Sequence, residues 1–458
     1  MSGVFDISGI FKENCSMIRM DSRSQFEKWT QVPDAKILGY PRMEKLRYFP
    51  EGTNDEFQFR VLEEMIDMQS DKVPQKTKDR TEAIVDFTKE KAEMTVKVAR
   101  DEQIAKERSK TYEKHGKDTM AKNVIHFFID SLSRDNFRRK LPRTKAWLEK
   151  YYDNDTADAQ VFQFYKYHGI ASWTLANLVP MFFGVDFTER SKKKNTKTPT
   201  HYNKYFKDVG YVTAQGHTQC GLEIFDLEPG NMNNWNFEHF DHEINTIYCD
   251  PNFSVPGHPF AILNGPYAMR RRCLYGKDTH TYIFDYGRSF WEKYPNESKF
   301  FRLAFQDAHE GTGEVVQYMD DKIASYFEFL EEKGSLKDTA IVFHSDHGVN
   351  MPGFYTFVDA EDFQIEKTLP TFFMILPQAI AQKHKKELKK KENVLVTPYD
   401  IHNTFLHIIN APRDAWNKIG GSLFEDINPK KRDCDTFRIR DPFCNCLGER
   451  DNPEPEDV

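Results

Sequence analysis

The stretch AIVFHSDHGVN, residues 340–350, decides how this chain is read. Its first half is an apolar run of the length of one buried strand, and its second half sets His344, Asp346 and His347 before Gly348. Imidazole and carboxylate groups are costly to desolvate unless each finds a partner, so a strand ending on three of them predicts a compensating group at its tip. Successive strand residues face opposite sides of a sheet. Asp346 and His347 can therefore share one ion only where the strand has given way to a turn, which Gly348 permits.

Outward from this stretch, NVIHFFID (123–130) is a second short apolar run ending in an acid. GYVTAQG (210–216), TFFMILP (371–377) and FQFYKYHG (162–169) read as further strands. LPRTKAWLEKYY (141–152), SWTLANLVPMFFG (172–184) and VVQYMDDKIASYFEFLEEKG (315–334) read as helices. Strands alternating with helices predict an α/β fold, a doubly wound, mostly parallel sheet with helices on both faces. The irregular, aromatic-rich sequence at about 185–300 reads as an inserted cap. Residues 1–118 form an N-terminal extension that is partly helical, with charged sequence at 57–120 spaced for helices. Residues 119–430 form the main domain, and 431–458 a cysteine-containing tail.

The 458 residues suffice for one large α/β domain with appendages, or for two ordinary domains. The net charge of -7 is spread along the chain, which gives no reason to expect nucleic acid as a partner. RRR (270–272) is too short to specify a ligand, and KHKKELKKK (383–391) reads as a solvated helix face. No run has the length a spanning helix needs, and the opening residues lack the apolar core of a signal peptide. Of the seven cysteines, Cys434, Cys444 and Cys446 crowd into CDTFRIRDPFCNC, which lacks a well-spaced fourth zinc ligand. Disulfides in the secretory pathway or outside the cell are the expectation, with the cytoplasm as the alternative. Sequons at Asn14, Asn154, Asn252 and Asn296 are compatible with secretion.

Ligands of such a sheet gather beyond the carboxyl ends of its strands, where Asp130 and the Asp346/His347 pair are both predicted to lie. Each acid could instead cap a following helix. Thr174 falls at the predicted start of a helix, where free N–H groups favour an anion. It is either an N-cap or a nucleophile that a neighbouring base or metal must activate.

NVIHFFIDSLSR, WTLAN and SDHG, in this order, resemble the alkaline-phosphatase-like superfamily of phosphatases, phosphodiesterases, sulfatases and phosphoethanolamine transferases. AKILGYPRMEKL, RRCLYG, HEGTGEVVQYMDD, SDHGVNMPG and VTPYDIHNT resemble more closely its sulfatase-like branch, the domain-of-unknown-function family 229, over roughly residues 30–446. The resemblance implies one or two divalent metals, zinc in first place and calcium or manganese as alternatives. Asp130, Thr174, Asp346 and His347 would surround one ion, with Thr174 as nucleophile. His309 would serve a second ion or the substrate, and Asn177 would contact substrate. Trp173 and Ala176 depart from the Asn and Pro that many relatives carry around the nucleophile.

A sulfatase needs C/S-x-P-x-R, and the nearest match, CDPNF (249–253), lacks the Arg. The expected function is therefore hydrolysis or transfer of a small-molecule, lipid or glycan phosphate ester. The alternative is a secreted binding or structural protein that keeps the fold without catalysis.

Overall fold

The computed structural model describes residues 3–4, 19–20, 81–86, 93–187, 199–218, 235, 238–244, 273–274, 277–309, 313–349, 365–439 and 443–445. Cys15, Cys220, Cys249, Cys446, the sequons at Asn14 and Asn252 and the RRR cluster lie outside these residues.

A hairpin of β1 (Thr81–Asp86) and β2 (Glu93–Val98) leads through α1 (Glu102–His115) to β3 (Asn123–Ile129), α2 (Arg134–Lys140), α3 (Pro142–Glu149) and β4 (Ala159–Gln163). Next come α4 (Thr174–Phe183), α5 (Tyr202–Asp208), β5 (Val212–His217), β6 (His242–Ile244), α6 (Thr279–Lys293) and β7 (Lys299–Phe305). The chain continues with α7 (Asp320–Glu332), β8 (Thr339–His344), β9 (Phe372–Pro377), α8 (Gln378–Lys391) and α9 (Pro398–Ile408).

Strands β3 to β9 form a seven-stranded sheet in the order β4-β9-β8-β3-β7-β5-β6. β9 pairs antiparallel with both β8 and β4, and the remaining ladders are parallel. β3 is central and every residue of it is buried, as a strand covered on both faces must be. Ile125, Phe127 and Ile129 pack with Phe284 of α6, Phe327 of α7 and Trp147 of α3. Val124 and Phe128 face the other way, onto Leu178 and Phe182 of α4, Phe206 of α5 and Phe405 of α9. Helices thus cover both faces of a mostly parallel sheet.

Three segments differ from the sequence reading. Residues 81–86 and 93–98 are strands although the charge-rich pattern favoured helix, because Val96 and Val98 dock on the core beside α6. β4 lies three residues earlier than FQFYKYHG suggests, since the chain turns away after Gln163. Within 185–300, read as irregular apart from β5, the elements α5, β6 and α6 also belong to the sheet and its covering layers. β7 escapes an apolar-run search because Lys299 and Arg302 interrupt it, yet both are buried. Lys299 donates Nζ bonds to the Tyr294 and Glu297 carbonyls, and the Arg302 guanidinium lies over Phe182, 4.9 Å from the ring centroid.

Candidate metal centre

β8 pairs with β3 so that His344 stands opposite Phe128. Continuing that register by two residues brings Asp346 opposite Asp130, both beyond the carboxyl ends of adjacent parallel strands. The strand ends at His344 and the chain bends at Asp346 and His347, which lets consecutive residues face one point. The bend does not require left-handed glycine. Gly348 is needed because a Cβ there would lie 1.6 Å from the Glu366 carbonyl oxygen, while its own N–H donates to the Lys367 carbonyl at 2.8 Å.

Asp130, Asp346 and His347 are buried and place one ligand atom each within 4.8 Å of one another. His347 Nε2 is 3.2 Å from Asp346 Oδ2 and 3.8 Å from Asp130 Oδ1. Thr174, the first residue of α4, sets Oγ1 3.3 Å from the same nitrogen. The N-cap of α4 is Trp173, without a side-chain cap and half-exposed, so Thr174 is not an N-cap and its hydroxyl is directed into the cluster.

These four side chains fit a cation. His347 Nδ1–H donates to the Gly348 carbonyl at 2.7 Å, which leaves the Nε2 lone pair facing oxygen atoms. Asp346 Oδ2 is buried without a hydrogen-bond partner. Two carboxylates and Nε2 converging on one point call for a positive charge between them, whether a bound cation or the proton of the ring. Ligands about 2.1 Å from a tetrahedral zinc stand about 3.4 Å from one another, close to the separations around His347 Nε2. The buried group is thus suited to a divalent ion whose identity the donors leave open.

The surroundings hold the cluster in place. Ser345 Oγ accepts from Leu132 N–H at 2.8 Å and donates to the His347 carbonyl at 2.9 Å, tying the exit of β3 to the Asp346–His347 bend. Ser131, which the sequence reading passed over, has φ +63° and bonds both carboxylates. Beneath the bend, His344 Nδ1–H donates to the Ser345 carbonyl at 3.0 Å, so its Nε2 accepts from His126 Nε2–H at 2.7 Å. His126 Nδ1 in turn accepts from the Tyr202 hydroxyl at 2.7 Å. Burial keeps both rings neutral, pushing His344 down to about 4 and His126 well below its ordinary value.

Two other predicted residues stand outside this group of three. Asn177 spends its amide on backbone: Oδ1 accepts from Ile170 and Ala171 N–H, and Nδ2 donates to the Ala171 and Trp173 carbonyls. These four bonds shape the loop before Thr174. His309, on the loop after β7, does not join the group of three. Two residues before it, Asp307 accepts from Nδ1 of buried His280 at 2.9 Å, a pairing that a sequence separation of 27 residues gives no means of reading.

The tail closes the back of the centre. Cys434 and Cys444 form a disulfide. Asn445 N–H donates to His168 Nε2 at 3.1 Å, and its amide bonds Thr368 Oγ1. Thr368 in turn accepts Gly169 N–H at 3.1 Å, and a Cβ on Gly169 would meet the Asp346 carbonyl at 2.9 Å.

A family model described as Protein of unknown function (DUF229) matches residues 15–457. No curated protein matches the sequence. Solved structures similar to the chain include the C-terminal periplasmic domain of phosphoethanolamine transferase EptC from Campylobacter jejuni, at 11% identity over 69% of this chain and 98% of that one, TM-score 0.40. Others are a protein in the alkaline phosphatase superfamily from Vibrio parahaemolyticus (15% identity, 72% and 79% covered, TM-score 0.44) and the lipoteichoic acid synthase LtaP from Listeria monocytogenes (11% identity, 72% and 82% covered, TM-score 0.41).

Proposed function

This chain belongs to the DUF229 family, and we propose that it is a metal-dependent hydrolase or transferase of phosphate esters in which Thr174 is the nucleophile. The observation that carries the reading is the meeting of the Thr174 hydroxyl with His347 Nε2 and two buried carboxylates at the first turn of α4. Asp130, Asp346, His347 and Thr174 would hold the ion. When bound, a divalent cation lowers the pKa of a nearby hydroxyl and offsets charge on a phosphoryl group.

The residues of the chain supply the rest. Thr174 Oγ1, fixed at the helix start, attacks phosphorus while its proton passes to water, the bond from phosphorus to the ester oxygen breaks with its electron pair going to that oxygen, and the oxygen takes a proton from water. The free N–H groups and dipole of α4 favour the phosphoryl oxygens. Water or an acceptor alcohol then displaces the phosphoryl group from Thr174, which decides between hydrolysis and transfer. The Cys434–Cys444 disulfide, with sequons at half-buried Asn154 and exposed Asn296, supports the secretory pathway or the extracellular space as the protein's compartment. A phosphate ester of a small molecule, lipid or glycan is the substrate class.

The test is turnover of phosphate monoesters, phosphate diesters and sulfate esters by the full chain supplied with zinc or manganese. Phosphate turnover that Thr174→Val abolishes through kcat is the expected result. Turnover of sulfate esters alone, or full phosphoesterase activity in Thr174→Val, overturns the mechanism. A metal-bound chain that turns over no ester favours the binding protein instead.

A further inference from the structure

Ser131 directly follows Asp130 at the top of β3, is fully buried, and has φ +63°. Left-handed backbone is unfavourable for a residue with a Cβ and free of that penalty for glycine. The other described non-glycine residues at positive φ are Asp153, Asn410 and Arg438, and Asp and Asn are types that tolerate this conformation. Ser131 therefore keeps a strained backbone in the interior, beside the candidate centre, where strain is often part of a site's construction.

The geometry gives this strain a consequence. Its N–H donates across to the neighbouring strand end, to Asp346 Oδ1 at 3.2 Å. Its hydroxyl donates to Asp130 Oδ1 at 3.0 Å. One residue thus contacts both carboxylates, one through backbone and one through side chain. Asp346 Oδ2 is left without a hydrogen-bond partner, facing His347 Nε2. An extended residue at 131 would carry its Cβ, and with it the hydroxyl, to another side of the peptide plane, and Asp130 would lose its bond to that hydroxyl.

We propose that Ser131 is the positioning residue of the centre: its N–H and its hydroxyl, the latter directed by the left-handed backbone, hold Asp346 and Asp130 in the arrangement that one divalent cation requires, at the expense of fold stability. The inference rests on the reading of the four-residue cluster as a cation site. It predicts that stability and metal affinity respond in opposite directions to one substitution. Ser131→Gly relieves the backbone and removes the bond to Asp130. Ser131→Ala removes the same bond and leaves the backbone strained.

The experiment measures two quantities on the full chain and both variants: the melting temperature in excess chelator, and the affinity for zinc and for manganese by competition with a chelator of known affinity. Ser131→Gly should melt higher than the unsubstituted chain and bind metal about tenfold or more weakly, the loss typical of removing a group that orients a metal ligand. Ser131→Ala should lose affinity to a similar extent without the gain in melting temperature. A serine that only shapes the turn predicts instead that Ser131→Gly binds metal as tightly as the unsubstituted chain, and that result overturns the proposal. Should Ser131→Gly melt lower, the strain argument fails. Should the unsubstituted chain bind neither metal, the cation site itself falls, a failure distinct from either of these.

Discussion

Acidification should destabilise this protein through two buried histidines that are not among the cluster's own ligands. His168 accepts Asn445 N–H at Nε2, and His402 donates Nδ1–H to the Met181 carbonyl at 2.8 Å while Nε2 lies against Gly184. Burial holds each ring neutral and pushes its pKa down from 6.5 to about 4. The folded value lies below the unfolded one, so between them the unfolded chain binds more protons. The stabilisation from each neutral ring is complete above about pH 6.5, declines as pH falls, and is gone below about pH 4. The limiting loss is about 3 kcal/mol per histidine, of which about 2 kcal/mol accrues between about pH 7 and about pH 5. Together the pair withdraws about 4 kcal/mol over that range, a large fraction of the roughly 5–15 kcal/mol typical of a folded domain. Urea unfolding in chelator, across this pH range, measures the effect. His168→Gln and His402→Gln should each remove about 2 kcal/mol of the pH dependence, whatever other groups titrate. An unfolding midpoint that does not move with pH, or a double variant with the same pH dependence as the unsubstituted chain, refutes the reasoning.

Three other perturbations follow from the geometry. Asp346→Asn halves the carboxylate charge beside His347 Nε2, so metal content measured by elemental analysis should fall together with turnover, while the apo protein keeps its circular dichroism spectrum. Gly348→Ala drives a methyl into the Glu366 carbonyl and should cost about 3 kcal/mol or more, read from urea midpoints; a loss under about 1 kcal/mol would mean that the close approach is not present in solution. Cys434→Ser opens a loop closed across 10 residues and should lower stability by about 3 kcal/mol, with faster proteolysis of the tail as a second readout.

The sequence exposed the centre more clearly than its supports. β3 and β8 stood out because strands buried on both faces read as mostly apolar runs, and an acid just beyond such a run is conspicuous. Asp130 and Asp346 could be placed at two strand ends, but their adjacency depends on β3 pairing with β8, which no local pattern encodes. β9 was visible as a strand and its antiparallel direction was not, since direction is set by the connection and not by composition. β7 was hidden by Arg302 and Lys299, which the core accommodates through aromatic faces and carbonyls. Asn177 was identified by its place in a motif, and its role in the loop emerged only from its four hydrogen bonds. The Tyr202–His126–His344 chain joins residues from three separate elements and left no trace in spacing.

The contact of Asn445 with His168 and Thr368 also bears on the order in which the protein can be made. Synthesis delivers Asp130 and Thr174 long before Asp346 and His347, and the residue that closes the back of the centre later still. Until the segment around position 346 has emerged from the ribosome, the Asp130 carboxylate has no opposing ligand and stays hydrated. Until position 445 follows, the loop behind Asp346 lacks its outer clasp. A cation could therefore meet the full set of candidate ligands only once residue 347 has been made, and a nascent polypeptide stalled before residue 445 would carry that cluster without its outer clasp.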